Sequence, residues 1–382
     1  MLHRLLAGLS PGLRNLLKRI PGASAVRDSL YGHPRGPAPS SGTLRPVVYL
    51  PTWLEWEVMK QRPQYLLEAL AAAGHEVWFV DPRLGQEMMA GDRIHLVPSI
   101  TPTPRSGVIL YTHFAPTQTL IDRFSDMVVV YDLLDDLAIY EPNEQGMPLE
   151  RTVKHHHRPL VEEADVVLAS NPILAERHRS EREDLVLVEN GVDLDRFTPE
   201  GPVAGSLPEG RIVGYHGALA PWFDFDLFTA VADLRPNLTF VLVGPIDPEV
   251  EDRADKLAKL ANVTLLPAQS SERIGEFVRG FSVGILPFVI DQMTKAVTPL
   301  KMYEYLACGV PMVATPLPAC VGEEMVQTAQ DPSSFAARID DALLLNSGER
   351  QDLRNHARAA SWERRVAPLL DRLESLGLRS LD

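Results

Sequence analysis

The sequence predicts an α/β protein made of two doubly wound, Rossmann-like domains facing across a cleft. Three observations predict it. Short, continuous apolar runs recur along the chain, and helical patterns lie between them. The alternation breaks once, over Thr198–Glu209, and then starts again. Continuous apolar strands separated by helices mean a parallel sheet covered on both faces. A chain of 382 residues has room for two domains of ordinary size. Its hydrophobic fraction of 45% is that of a globular protein.

Residues 1–43 read as an extension and linker. Leu2, Leu5, Leu6, Leu9, Leu13, Leu16, Leu17 and Ile20 draw an apolar stripe on helices. Ser10-Pro11 marks an N-cap and first-turn proline that splits the stripe in two. Arg4, Arg14, Lys18, Arg19, Arg27 and Arg35 stand against Asp28 alone in this part, although the whole chain carries a net charge of −14. A basic amphipathic segment over residues 1–30 can lie on an anionic membrane surface, or pack on a domain as an extension. The Gly, Pro and Ser content of residues 32–46 reads as a flexible linker.

The first domain is expected over 44–198. Its strands fall at Val47–Leu50, Val77–Val80, Val108–Tyr111, Val128–Tyr131, Val166–Ala169 and Leu185–Val188, with helices at Arg62–Ala73, ended by Gly74, and Leu149–Glu163. Pro199, Gly201, Pro202, Gly205 and Pro208 make the break. The second domain is expected over 210–355. Its strands are Ile212–Tyr215, Thr239–Val243, Val263–Leu266, Val283–Pro287 and Met312–Ala314. Its helices are Phe225–Leu234, Glu249–Ala261, Ser271–Arg279, Leu300–Ala307 and Ser333–Leu345. Gln351–Leu376 reads as helical. Ligands of such sheets bind beyond the carboxyl ends of the strands.

Composition excludes several classes. The net charge of −14 argues against nucleic acid as partner. Cys308 and Cys320 have neither metal-ligand spacing nor a disulfide framework around them, which fits a reducing cytosol. No apolar run reaches the length of a membrane span, and the opening segment lacks the apolar core and cleavage site of a signal peptide. The expected location is cytoplasmic, peripheral on the inner membrane face if residues 1–30 bind lipid.

The most informative stretch is Thr298-Pro-Leu-Lys-Met-Tyr-Glu-Tyr-Leu-Ala-Cys-Gly-Val-Pro311 before Met312-Val-Ala-Thr315. It reads as loop, helix and buried strand. Pro299 opens the first helical turn and supplies no N–H that the turn would miss. Gly309 and Pro311 stop the helix. The helix start at Thr298, Pro299 and Leu300 offers unpaired N–H groups and a positive dipole end, which suit a phosphate. Lys301 adds a point charge. Glu304 lies about one turn further in, where it can reach a ribose hydroxyl pair.

This segment resembles the nucleotide-sugar site of GT-B glycosyltransferases, in the large retaining family whose signature ends in Glu-x-x-x-x-Gly-x-Pro. The resemblance covers roughly residues 44–382, and Pro-Leu-Lys before Tyr-Glu-Tyr-Leu is similar to a bacterial surface-polysaccharide subgroup. It implies that Glu304, as the second Glu of a Glu-x7-Glu pair, contacts the nucleotide ribose. The first Glu falls at Ala296 and is absent. The resemblance further implies a C-terminal helix, within 356–382, that crosses back to the first domain. Gly214-Tyr-His-Gly217 ends the first strand of the second domain, and Gly217 lets a backbone N–H approach a phosphate. The family carries bases a few residues on; here Ala-Pro-Trp-Phe-Asp-Phe-Asp follows, so Lys295 and Lys301 are the expected substitutes. His216 lies in the same turn. Gly244 closes another strand beside the donor. Pro267 and Ala268 stand where the family's backbone bonds the base. The loop from Phe288 to Thr298 is expected over the donor sugar, with Asp291 replacing the absent Glu.

The first domain is expected to hold the acceptor. Gln61-Arg62-Pro63-Gln64 begins a helix. His113, Asp132 and Asp135 follow strand ends and are the candidate bases if the reaction inverts configuration. If it retains configuration, the departing phosphate takes the proton. Asn190-Gly-Val-Asp193 closes the domain. His155-His-His157 is a poor chelator, because neighbouring side chains on a helix point about 100° apart. Asp224-Phe-Asp226 reads as a helix cap. No cofactor and no metal are expected, the nucleotide-sugar being a substrate, and helix dipole and Lys301 stabilise the leaving diphosphate. The expected function is transfer of a sugar from a nucleotide-sugar to a hydroxyl of a glycan or lipid-linked acceptor in cell-surface polysaccharide synthesis. The alternatives are a sugar-nucleotide epimerase or phosphorylase on the same fold, and a non-catalytic glycan-assembly scaffold.

Overall fold

A computed structural model describes residues 44–52, 54–57, 60–134 and 148–377. The basic amphipathic segment and Asp135 lie outside these residues. The described residues form two compact units, one of 44–189 with 365–377, the other of 190–364.

In the first unit the strands are β1 Val47–Tyr49, β2 Val77–Val80, β3 Met88–Met89, β4 Ile94–Val97, β5 Ser106–Thr112, β6 Ser125–Leu133, β7 Val166–Ala169 and β8 Val186–Leu187. Helices α1 Arg62–Ala72, α2 Pro148–Glu163 and α3 Pro172–His178 connect them. The sheet order is β3-β4-β2-β1-β5-β6-β7-β8, parallel except for β3 against β4. The order reverses between β1 and β5, so their C-terminal ends border the crevice where doubly wound sheets bind ligands.

That edge carries a buried polar network. Arg62, near the start of α1, is bidentate to Asp132 at the end of β6, with Nε 2.9 Å from Oδ2 and Nη2 3.0 Å from Oδ1. Tyr111 Oη donates to Asp132 Oδ2 at 2.5 Å. Arg62 and Asp132 are both buried. Charge-assisted bonds of this kind fix the strand end to the helix start.

The second unit runs β9 Ile212–His216, α4 Phe225–Leu234, β10 Thr239–Val243, α5 Glu251–Leu257, β11 Val263–Leu266, α6 Ile274–Arg279, β12 Val283–Leu286, α7 Leu300–Ala307, β13 Met312–Ala314, α8 Pro318–Val321, β14 Val326–Thr328, α9 Pro332–Leu343, α10 Ser347–Ala359 and α11 Trp362–Arg365, the last ending one residue into the first unit. Its all-parallel sheet has the order β11-β10-β9-β12-β13-β14, so the reversal lies between β9 and β12. Asp224 Oδ1 accepts the Leu227 N–H at 2.9 Å, the cap expected for α4.

Several expectations shift. The split falls between Glu189 and Asn190, because Asn190–Arg196 is bonded into the second unit. The helix expected over Gln351–Leu376 is interrupted at Ala360–Ser361, where Val192 takes two backbone bonds. Its last part, α12 Ala367–Ser375, packs in the first unit against β8, and Arg372 Nη2 meets Asp184 Oδ2 at 2.6 Å. The pairs β3–β4 and the strand β14 were not expected. β3 is two exposed methionines and β14 is Val-Gln-Thr, so both lack the continuous run of a fully buried strand.

The Arg62–Asp132 pair generates a stability prediction. Removing one partner leaves a buried charge, which costs about 3–5 kcal/mol. Asp132→Asn is expected to lose that much in urea denaturation, with Arg62→Met/Asp132→Asn losing less than the sum of the two single changes. A loss below about 1 kcal/mol for Asp132→Asn contradicts the account.

Candidate functional site

The strongest convergence of functional side chains lies in the second unit, where β9 and β12 diverge. β9 ends in His216, and Gly217 follows with φ +126°. β10 ends before Gly244, at φ +157°. The Gly217 N–H donates to the Val243 carbonyl at 2.8 Å. A Cβ on Gly244 would lie 2.1 Å from the Gly217 carbonyl oxygen, so the two turns stack backbone on backbone. A Cβ on Gly217 would lie 2.4 Å from Lys301 Cε. The lysine therefore rests directly over the turn. No larger residue fits at either place without displacing backbone or lysine.

Helix α7 is seated by its inward face. Tyr305 Oη accepts the His216 N–H at 3.2 Å, and a Cβ on Gly284 of β12 would lie 2.7 Å from the Tyr305 ring. Pro299 is the N-cap, one residue before the helix rather than in its first turn as expected, and no side chain caps the helix. The N-terminal N–H groups and the dipole are thus presented to a ligand. Lys301 Nζ stands 5.7 Å from the Tyr215 ring centroid and 6.0 Å from that of Phe288. Among the described residues it has no carboxylate within ion-pair distance.

Glu304 is buried, one turn into α7. Its Oε2 lies 3.2 Å from His216 Nε2, yet that nitrogen makes no hydrogen bond among the described residues. Burial pushes the Glu304 carboxyl up to about 7, against the pull of Lys301 and with the help of Asp193. Burial, and then Lys301, hold His216 well below the usual imidazole range, so it is neutral at pH 7. Burial also lowers the Lys301 ammonium, which Glu304 counters. The arrangement sets an ammonium and an uncapped helix start beside a buried carboxyl and an imidazole nitrogen that makes no hydrogen bond among the described residues.

The other expected donor residues are arranged differently. Thr298 and Pro299 are buried at the approach to α7, with Leu300 partly buried. Pro267 and Ala268 are exposed after β11. Asp291 uses Oδ1 to accept the Thr294 N–H at 2.9 Å, which closes its own loop. Lys295 is exposed on the turn Thr294–Ala296; Lys301 alone of the two substitutes reaches Gly217. Ala296 is buried in that same turn.

In the first unit, Tyr49 Oη lies 2.8 Å from His113 Nδ1, and burial drops His113 to about 4, so it is a neutral imidazole. Asp132 is corrected as a candidate base. Both of its oxygens already accept from Arg62, and Tyr111 holds one of them. His156 and His157 bond different groups, Gln118 Oε1 at 2.7 Å and Tyr131 Oη at 2.8 Å. Sequence reasoning missed Tyr305, the Tyr215 and Phe288 rings, and the bond from Asn190 to Thr298; only the Asn190–Asp193 turn carried a signal, and it was read as the close of the first domain.

Known proteins share this architecture. Residues 210–344 match the family Glycosyl transferases group 1. The putative teichuronic acid biosynthesis glycosyltransferase TuaH of Bacillus subtilis is 26% identical over 287 residues, 70% of this chain and 72% of that protein. The D-inositol 3-phosphate glycosyltransferase of Mycolicibacterium smegmatis is 27% identical over 240 residues, 55% of this chain and 53% of that protein. The chain thus spans about half the length of that second relative. Sucrose-phosphate synthase from Thermosynechococcus elongatus superposes with a TM-score of 0.66 at 18% identity, covering 88% of this chain and 100% of its own. WaaG, a glycosyltransferase involved in lipopolysaccharide biosynthesis, gives 0.60 at 15% identity over 86% and 98%.

The Glu304 shift has a definite sign. A carboxyl raised from 4.5 to about 7 costs folding stability only when ionised. The cost is absent below the unfolded value, grows as pH rises from about 4.5 to 7, and is full above that. It is on the order of 3 kcal/mol at pH 8. Glu304→Gln is therefore expected to gain stability relative to wild type at pH 8 and not at pH 4.5, in urea denaturation. A gain independent of pH contradicts this.

Proposed function

We propose that this chain, a GT-B glycosyltransferase by its fold and by the group 1 match of its second unit, moves a sugar from a nucleotide-sugar donor to a hydroxyl of a glycan or lipid-linked acceptor. Cell-surface polysaccharide synthesis is the setting, supported by the likeness to TuaH. The observation that carries the reading is the seat at the start of α7. Lys301 lies over the Gly217 turn, the helix N-terminus is uncapped, and a buried carboxyl lies one turn deeper.

In this reading the donor diphosphate sits on the Leu300 and Lys301 N–H groups and the Lys301 ammonium. Glu304, ionised, accepts from the ribose hydroxyls, and His216 Nε2 finds its hydrogen bond on the ligand. The bond from the sugar's anomeric carbon to the diphosphate oxygen breaks, with its electron pair leaving on that oxygen. The acceptor hydroxyl oxygen forms the new bond to the same carbon. Dipole and ammonium stabilise the charge that develops on the leaving group. No metal is needed for that step, because Lys301 supplies the cation. Retention is the favoured outcome: Asp132 is committed to Arg62 and Tyr111, and the departing phosphate can take the acceptor proton on the same face. If configuration inverts, neutral His113 is the described group suited to be the base.

A scaffold that kept the fold without transfer is favoured by one observation, Ala296 in place of the first Glu. Binding experiments separate the two. Titration calorimetry with UDP, GDP, ADP and dTDP is expected to find at least one ligand. Charge-assisted bonds contribute about 1.5–3 kcal/mol, so Glu304→Ala and Lys301→Met are each expected to weaken it roughly 10- to 100-fold, with the fold intact. No binding by the wild type supports the scaffold; unchanged affinity in Glu304→Ala contradicts the ribose assignment.

The basic amphipathic pattern of residues 1–30 supports a peripheral position on an anionic membrane. A chain lacking residues 1–36 is expected to stay folded and to bind anionic vesicles less well. Equal vesicle binding contradicts the anchor.

A further inference from the structure

The turn Asn190–Asp193 opens the second unit and reaches the approach to α7. Its backbone is clamped before α11, where the Val192 N–H donates to the Ala360 carbonyl at 2.9 Å and the Trp362 N–H to the Val192 carbonyl at 3.2 Å. Asp193 Oδ1 accepts the N–H groups of Asp195 and Arg196 at 3.0 and 3.1 Å. From this clamped turn, Asn190 Nδ2 donates to the Thr298 carbonyl at 2.7 Å, across 108 residues of sequence.

Thr298 is buried and immediately precedes Pro299, the N-cap of α7. A proline cap has no N–H and no side chain that can cap, and its ring fixes φ. With planar peptides, the torsions left between the Thr298 Cα and the helix are then the two ψ angles at Thr298 and Pro299. A bond to the Thr298 carbonyl fixes the first of these directly. The Pro299 carbonyl is held from inside the helix, by the Met302 N–H at 3.2 Å.

We propose that Asn190 is a positioning residue for the donor diphosphate. Its amide holds the Thr298 carbonyl and so aims the Leu300 and Lys301 N–H groups and the Lys301 side chain at the Gly217 turn. The inference rests on the reading of α7 as the diphosphate seat. It concerns the phosphate half of the ligand and not the nucleoside half, because Glu304 is held separately through the packing of α7 on β9 and β12.

That division gives the test. Titration calorimetry is run on wild type, Asn190→Ala, Asn190→Asp and Lys301→Met, with the tightest of UDP, GDP, ADP and dTDP and with its free nucleoside, alongside thermal unfolding. For Asn190→Ala the diphosphate is expected to bind about tenfold more weakly while the nucleoside stays within twofold. Asn190→Asp has the same shape but sets a carboxylate against the carbonyl, and is expected to lose more; it decides by the same split if the alanine variant does not fold. If Lys301→Met weakens the diphosphate but both Asn190 variants stay within twofold, Asn190 does not position the seat, which itself stands. If diphosphate and nucleoside weaken together in the Asn190 variants, the residue is structural only and the inference is overturned. If wild type binds no diphosphate, or Lys301→Met changes nothing, the seat and the inference fall together.

Discussion

The second unit depends on how closely a helix and two strand-end turns can approach. Gly217 and Gly244 stack carbonyl on backbone, Lys301 lies over Gly217, and the Tyr305 ring lies over Gly284. These contacts leave no space for a Cβ. Together they place the N-terminus of α7 at the one point of the sheet where β9 and β12 diverge. Everything proposed for the donor follows from that placement. A helix held a side chain's width further off would carry Lys301 and Glu304 out of reach of the turns.

The two units handle buried charge in opposite ways. In the first, Arg62 and Asp132 satisfy each other, with Tyr111 added, and neither waits for a partner from outside. Such a pair fixes architecture. In the second, a lysine stands beside two aromatic rings with no carboxylate at bonding distance among the described residues. Beside it a carboxyl is pushed up to about 7, and an imidazole nitrogen is buried without a hydrogen bond among the described residues. Incomplete compensation of this kind is costly in an empty protein. In the proposed reading it is relieved when a ligand brings negative charge to the ammonium and hydroxyls to the carboxyl, the kind of coupling by which perturbed groups mark functional sites.

Most of the fold was legible because its strands are continuous apolar runs such as Val47–Tyr49, Val166–Ala169 and Val283–Leu286, all buried. Helix α7 was legible to the residue from its proline and glycine punctuation. Short strands such as Met88–Met89 and Val326–Thr328 carry no period long enough to read. The places of Lys301 and Glu304 were legible because Pro299 marks a helix start, and that of Gly217 because it closes an apolar strand. Asp132 misled, because a strand-end aspartate looks the same whether it faces a ligand or a buried arginine. Tyr305, Phe288 and Asn190 were illegible as site residues. Their parts depend on contacts between segments far apart in sequence, which no local pattern records.

The central claim is that α7 seats a nucleoside diphosphate, phosphates on Lys301 and the helix start, ribose on Glu304. A crystal structure with the tightest-binding nucleoside diphosphate tests it most directly. The account predicts phosphate oxygens within hydrogen-bond distance of Lys301 Nζ and the Leu300 or Lys301 N–H, and ribose hydroxyls on Glu304 with His216 Nε2 bonded to the ligand. A nucleotide bound elsewhere, or one in this place with its ribose turned away from Glu304, would contradict it.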